Sequence, residues 1–214
     1  MRSVSEPAIL VERRERVLVI TINRPEQRNA VNAAVAAGIA AALDQLDGDT
    51  ELSLGVLTGA SKGFCAGMDL KAFVAGESPY AGDRGFAGIT RRAAVKPLIA
   101  AVEGFAVAGG LEVALSCDLI VAARGAKLGI PEVKRSLVAA GGALLRLPRA
   151  LPRGIATELA LAATKRILTD SVDWAEAEFW DRQNQIADPV MASEDAREGA
   201  TAFTECRAPV WRGR

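Results

Sequence analysis

The chain has 214 residues, half of them apolar, and its 26 Lys plus Arg balance 26 Asp plus Glu to a formal net charge of zero. That length and apolar share allow one large domain with a sizeable core, and the balanced charge argues against nucleic-acid binding, which calls for a basic excess. Histidine is absent, which excludes Ser-His-Asp and Cys-His chemistry and most zinc sites, and leaves acid–base work to carboxylates, Lys, Tyr or Cys.

Residues 1–16 are charged and carry no apolar signal-peptide core. The β-branched run at 17–22 predicts a strand, bounded by the turn Asn23-Arg24-Pro25. Val35, Ile39, Leu43 and Leu46 recur at helical spacing and predict an amphipathic helix over 33–46. A second strand is expected at 52–58, then a loose stretch over 76–88 and a helix reaching Val95. Pro97 introduces a third strand at 98–102; Gly109 and Gly110 open a short apolar helix through Ser116, and another strand follows at 119–123. Beyond Leu144 the pattern is helical, at 154–168, 174–186 and 194–203, with Ser193 as N-cap of the last. Strand–helix alternation of this kind indicates an α/β fold. The most apolar stretch, 98–123, is interrupted by Glu103, Glu112, Asp118 and glycines, so a soluble chain is expected rather than a membrane span. Cys65, Cys117 and Cys206 are too sparse for a disulfide framework and lack metal-ligand spacing, which points to reduced thiols and a cytoplasmic setting.

Three segments carry candidate chemistry. In Gly104-Phe105-Ala106-Val107-Ala108-Gly109-Gly110-Leu111-Glu112, residues without side chains at a helix start leave backbone N–H groups bare, able to stabilise an oxygen that becomes negative. The same glycines also suit a turn that merely lets a helix pack closely on a strand. Gly63-Phe64-Cys65-Ala66-Gly67-Met68-Asp69-Leu70 offers a second such turn at Met68, or a plain strand-to-helix connection. Glu112 sits within an apolar helix and Glu132 follows Gly129-Ile130-Pro131. Singly each is ordinary; converging on one pocket they could activate water and deliver a proton.

Taken in order, Arg28-Asn29-Ala30, Cys65-Ala66-Gly67-Met68-Asp69-Leu70, Gly109-Gly110-Leu111-Glu112, Cys117-Asp118-Leu119 and Pro131-Glu132 resemble the crotonase (enoyl-CoA hydratase/isomerase) superfamily. The resemblance runs from about residue 9 to 161 and resumes at 163. It implies an α/β fold: a crotonase-type ββα spiral core over residues 1–147, holding the CoA groove and active site, then a C-terminal helical region over 148–214. It implies that the Met68 and Gly109 amides hold a thioester oxygen. Arg28, Asn29, Ala30, Ala66, Gly67, Asp69 and Leu70 would bind CoA, and Glu112 and Glu132 would be catalytic. Retention of both glutamates favours hydration of a trans-2-enoyl-CoA to a 3-hydroxyacyl-CoA over double-bond isomerisation. The resemblance implies no cofactor beyond the CoA carried by the acyl-CoA substrate, and a homo-oligomer, trimer or dimer of trimers; the absent histidine, the balanced charge and the interrupted apolar stretch lead to no metal, no nucleic acid and no membrane being expected.

Ala108, Ser136 and Ala143 stand where close relatives often have glycine. A larger departure lies between Leu161 and Ala163, where a family segment long enough for two helices is missing. The expected result is a shortened region with one fused helix carrying Ile155, Leu159, Ala162 and Ile167 on a stripe, and apolar core surface laid open. That loss supports an alternative, a catalytically impaired chain that binds acyl-CoA or a partner.

Overall fold

The structure is a computed structural model that describes residues 6–132, 137–150, 167 and 170–212. Five strands form the main sheet: β1 (Ile9–Arg14), β2 (Val17–Ile22), β3 (Leu54–Gly59), β4 (Leu98–Val102) and β6 (Leu119–Ala122), in the order β1-β2-β3-β4-β6. β1 runs antiparallel to β2 and every other pairing is parallel. The short strands β5 (Phe105–Val107) and β7 (Lys127–Gly129) pair in parallel as a separate ribbon.

Alternation in β2 buries Leu18, Ile20 and Ile22, and helix α1 (Ala33–Gly48) buries Val35, Ile39, Leu43 and Leu46 in the same cluster. Burying four such side chains contributes roughly 1.5–3 kcal/mol each. Asn32 caps α1, its side chain accepting from Val35 N at 3.1 Å. Helices α2 (Leu70–Val74) and α3 (Gly109–Ala114) lie on the connections from β3 to β4 and from β4 to β6.

A second row of pairings runs beside the sheet: Val31 bridges Met68, Cys65 bridges Ala106, and β5 pairs with β7. Each circuit of the chain therefore gives one long strand to the sheet and one short extended segment to the inner row. Residues 30–31, 66–68, 107–109 and 129–132 leave that row in succession, and this is what stacks the sequence motifs in space.

Among the described residues after β7 lie the helices α4 (Ala143–Ala150), α5 (Glu176–Met191) and α6 (Glu194–Thr204). A second apolar cluster joins Leu111 of α3 to Leu144 and Leu147 of α4, Ile167, and Phe179 and Ala187 of α5. Ser193 caps α6, accepting from Ala196 N at 3.0 Å. α6 packs on α2, so the C-terminal helices close back over the core. The expected helix at 154–168 and the fused stripe fall, except for Ile167, outside the described residues, as does Ser136. Among the described residues no helix is long and apolar enough to cross a membrane.

One expectation is corrected, and one element is new. The helix leading to Val95 does not form; residues 91–97 carry no helix or strand. The reason lies in Arg84, buried to 2 % exposure. Its guanidinium takes the Arg92 and Ala93 carbonyls at 2.9 and 3.2 Å, while Asp47 takes the Val95 and Lys96 amides. A helix would need those same backbone groups for itself. The charged N-terminal stretch, given no element from sequence, forms β1 as a mostly exposed edge strand.

Candidate active site

A cavity of about 650 Å³ opens between the inner row and the C-terminal helices. Its wall includes Arg28, Ala30, Ala66, Met68, Asp69, Leu70, Gly109, Glu112 and Glu132, so nine of the residues singled out from sequence meet there. Asn29 and Gly67 do not line it. Asn29 is buried and serves as a brace: its side-chain nitrogen donates to the Ala60 and Gly63 carbonyls at 2.9 and 2.7 Å, and its oxygen accepts from Arg24 N at 3.0 Å. Gly67, at φ +93°, permits a close approach; a Cβ there would lie 2.8 Å from Ala108 Cβ and 2.9 Å from Gly109 N.

That approach brings two backbone turns side by side. Among the described residues the Met68 and Gly109 amides donate to no protein acceptor, although Met68 and Gly109 both border the cavity. Buried amides are nearly always satisfied, so two spare donors facing one space are positioned for an external oxygen. The Phe86 ring packs over Gly109, where a Cβ would come within 2.6 Å of it, and Tyr80 meets Phe86 edge-on with centroids 5.9 Å apart. Ala108, just before the turn, holds φ +53°, a conformation that disfavours any Cβ.

The two carboxylates enter from different elements. Glu112 lies in α3, every residue of which is buried; its Oε1 accepts from Ala143 N at 3.1 Å, and the nearby Gly141 backbone amide also favours its charged form. A Cβ at Gly141 would sit 2.5 Å from Glu112 Oε2, so a larger residue there would displace the carboxylate. Glu132 follows β7, and among the described residues neither of its oxygens has a hydrogen-bond partner or exposes surface. Burial raises Glu112 to about 7, against the lowering effect of its amide donors and Arg146. Burial, and then the charge of Glu112, raises Glu132 to about 8. Burial thus favours the protonated form of both carboxyls, and the charge on Glu112 further opposes ionisation of Glu132. One group suited to take a proton faces the same space as one suited to give it.

Sequence reasoning missed the apolar part of the wall. Tyr80, the chain's single tyrosine, lies in a stretch with no readable periodicity, and Leu137, Val138, Met191 and Phe203 belong to no chemical motif. Cys206 also reaches the wall. Buried Cys65 has its thiol pushed up to about 12 by desolvation and stays protonated; its sulfur accepts from Gly67 N at 3.3 Å.

The model of a family described as enoyl-CoA hydratase/isomerase matches residues 12–174. The chain is 36% identical to the enoyl-CoA hydratase EchA19 of Mycobacterium tuberculosis, covering 98% of each. That match extends over 261 positions against 214 residues in this chain, so the relative carries a stretch without counterpart here. Among solved structures, an enoyl-CoA hydratase from Mycobacterium tuberculosis superposes with a TM-score of 0.71 at 49% identity, covering 98% of this chain and 100% of its own. A carnitinyl-CoA hydratase from Mycobacterium avium gives 0.84 at 38% identity, with the same coverage.

Proposed function

The chain belongs to the enoyl-CoA hydratase/isomerase family, and from that premise we propose that it hydrates a trans-2-enoyl-CoA to a 3-hydroxyacyl-CoA with Glu112 and Glu132 as the reacting pair. The observation that carries this reading is the convergence of two buried carboxylates and two unpartnered amides on one cavity. An isomerase needs one base that moves a proton between carbons; hydration needs a base for water and an acid for carbon, and both are present.

In the proposed reaction the thioester oxygen lies between the Met68 and Gly109 amides, which draws electron density from C3. Glu112, held by the Ala143 amide, takes a proton from water as the water oxygen bonds to C3. Charge builds on the thioester oxygen as an enolate, where the amides bind it more strongly than the ground state. Glu132, whose buried oxygens have no hydrogen-bond partner among the described residues, delivers one to C2. The same groups serve the reverse loss of water by microscopic reversibility, so a carnitinyl-type 3-hydroxy thioester, of the class named for the Mycobacterium avium relative, would use the same pair.

The CoA portion is assigned to the rim formed by Arg28, Ala30, Ala66, Asp69 and Leu70, with Asn29 and Gly67 shaping it from behind. No further cofactor enters the scheme. The core is taken as residues 1–147, with α5 and α6 of the 148–214 region walling the acyl side. The chain is assigned to the cytoplasm, as a homo-oligomer, trimer or dimer of trimers.

The test is loss of enoyl-thioester absorbance with crotonyl-CoA and longer enoyl-CoAs. Turnover that disappears in Glu112→Gln and in Glu132→Gln is the expected result. Well-folded wild-type protein that binds enoyl-CoA without turnover would instead establish the impaired, binding-only alternative.

A further inference from the structure

We propose that Arg24 is a positioning residue for the oxygen-binding site: acting through Asp69, its guanidinium sets the direction of the Met68 N–H. The inference rests on the reading that Met68 and Gly109 hold the thioester oxygen.

Arg24 does not line the cavity. Its Nη2 lies 3.0 Å from Asp69 Oδ2, with both side chains largely buried at 17 and 13 % exposure, and its Nη1 donates to Ala30 O at 2.6 Å. One guanidinium therefore ties residue 30 to residue 69, on two different circuits of the chain. The other Asp69 oxygen accepts from Lys71 N and Ala72 N at 3.1 and 3.2 Å, capping α2.

Between these anchors the backbone is fixed on both sides of Met68. Val31 N donates to Gly67 O and Asp69 N donates to Val31 O, each at 2.8 Å. The Gly67 carbonyl and the Met68 N–H belong to one planar peptide and point in opposite directions. Holding Gly67 O on Val31 therefore aims the Met68 N–H away from Val31, and the spare donor borders the cavity. The two bonds through Val31 keep their length only while residues 30–31 and 69 stay at a fixed separation, and the Arg24 fork spans that separation. Arg suits the task because its planar fork reaches a carboxylate and a carbonyl together, which a Lys ammonium on a flexible stem does less well.

The test compares wild type with Arg24→Gln and Arg24→Lys in the full chain, each checked for a cooperative melt. A chromophoric cinnamoyl-CoA reports polarisation of its carbonyl as a red shift on binding, independently of turnover. Expected for Arg24→Gln is a red shift at least halved with Kd for the chromophore changed less than about threefold. With crotonyl-CoA, kcat should fall roughly 10- to 100-fold at near-constant KM, the scale of a displaced or weakened oxyanion donor. Arg24→Lys should recover part of both signals. Should Arg24→Gln fail to fold, Asp69→Asn removes the charge yet keeps a capping oxygen, and the same loss of red shift is expected. A full red shift and full kcat in the folded variants would overturn the proposal, as would a loss confined to KM, which would make Arg24 a CoA contact. If wild type shows the red shift but no turnover, the hydratase reading fails while the Arg24 comparison still decides this one.

Discussion

At the scale of single residues, the raised carboxyls of Glu112 and Glu132 have consequences for both rate and stability. With the pair raised to about 7 and about 8, kcat/KM should trace a bell whose narrow optimum lies between those values, which belong to the pair jointly. The stability sign follows from proton linkage. Each carboxyl starts from a value of 4.5 and is raised on folding, so the folded chain binds more protons than the unfolded one. The stabilisation is fully present below about 4.5, declines as pH rises, and is gone above about 8. Glu132→Gln, neutral at every pH, should therefore raise Tm more at pH 8 than at pH 5 while lowering kcat by about 10²–10⁴; a melt with equal shifts at the two pH values would refute the burial argument. Ala108 gives a separate expectation. Its φ of +53° costs on the order of 1 kcal/mol that glycine avoids, so Ala108→Gly should raise Tm by a few degrees, measured by calorimetry, with the neighbouring Gly109 donor retained.

At the scale of elements, the sequence reads well where periodicity is strong. Residues 17–22 and α1 fall where expected because alternating or 3.6-spaced apolar positions each meet one buried face. It reads poorly where a distant side chain claims the backbone. The stretch over 89–95 has helix-compatible residues, yet Arg84 and Asp47 take its carbonyls and amides. Nothing local in the sequence announces a buried arginine forty residues from its partner Asp44, 2.5 Å away. The site divides the same way: Glu112, Glu132, Met68 and Gly109 are legible as motifs, whereas the Tyr80–Phe86 wall depends on the loop that Arg84 holds. Arg84→Met should thus cost about 2–4 kcal/mol, from three lost hydrogen bonds and altered packing. It should raise KM for enoyl-CoA more than it lowers kcat. Hydrogen exchange would localise the loss of protection to residues 80–96; protection unchanged there would show that the loop is held by other contacts.

At the scale of the whole molecule, one edge of the main sheet, among the described residues, is apolar and exposed. β6 ends the main sheet, and all four of its residues are exposed, with Leu119 and Val121 each retaining 62 % of their surface. Leu128 of β7 is half exposed nearby in sequence. Proteins protect edge strands with charge, proline, bulges or covering elements, and Leu-Ile-Val-Ala carries none of the first two. The free edge can add a strand from another molecule through backbone bonds while its apolar side chains leave water, and both effects grow with concentration. Wild type should therefore show concentration-dependent association in sedimentation velocity. Val121→Lys, placing a charge in the middle of the edge, should shift the distribution toward smaller species. Because β6 contributes no residue to the cavity, turnover per chain should stay within about twofold in that variant if the cavity is complete within one molecule. A parallel loss of association and activity would instead mean that the closed acyl site is made only in the assembly, and the single-chain cavity would then be an incomplete description of the enzyme.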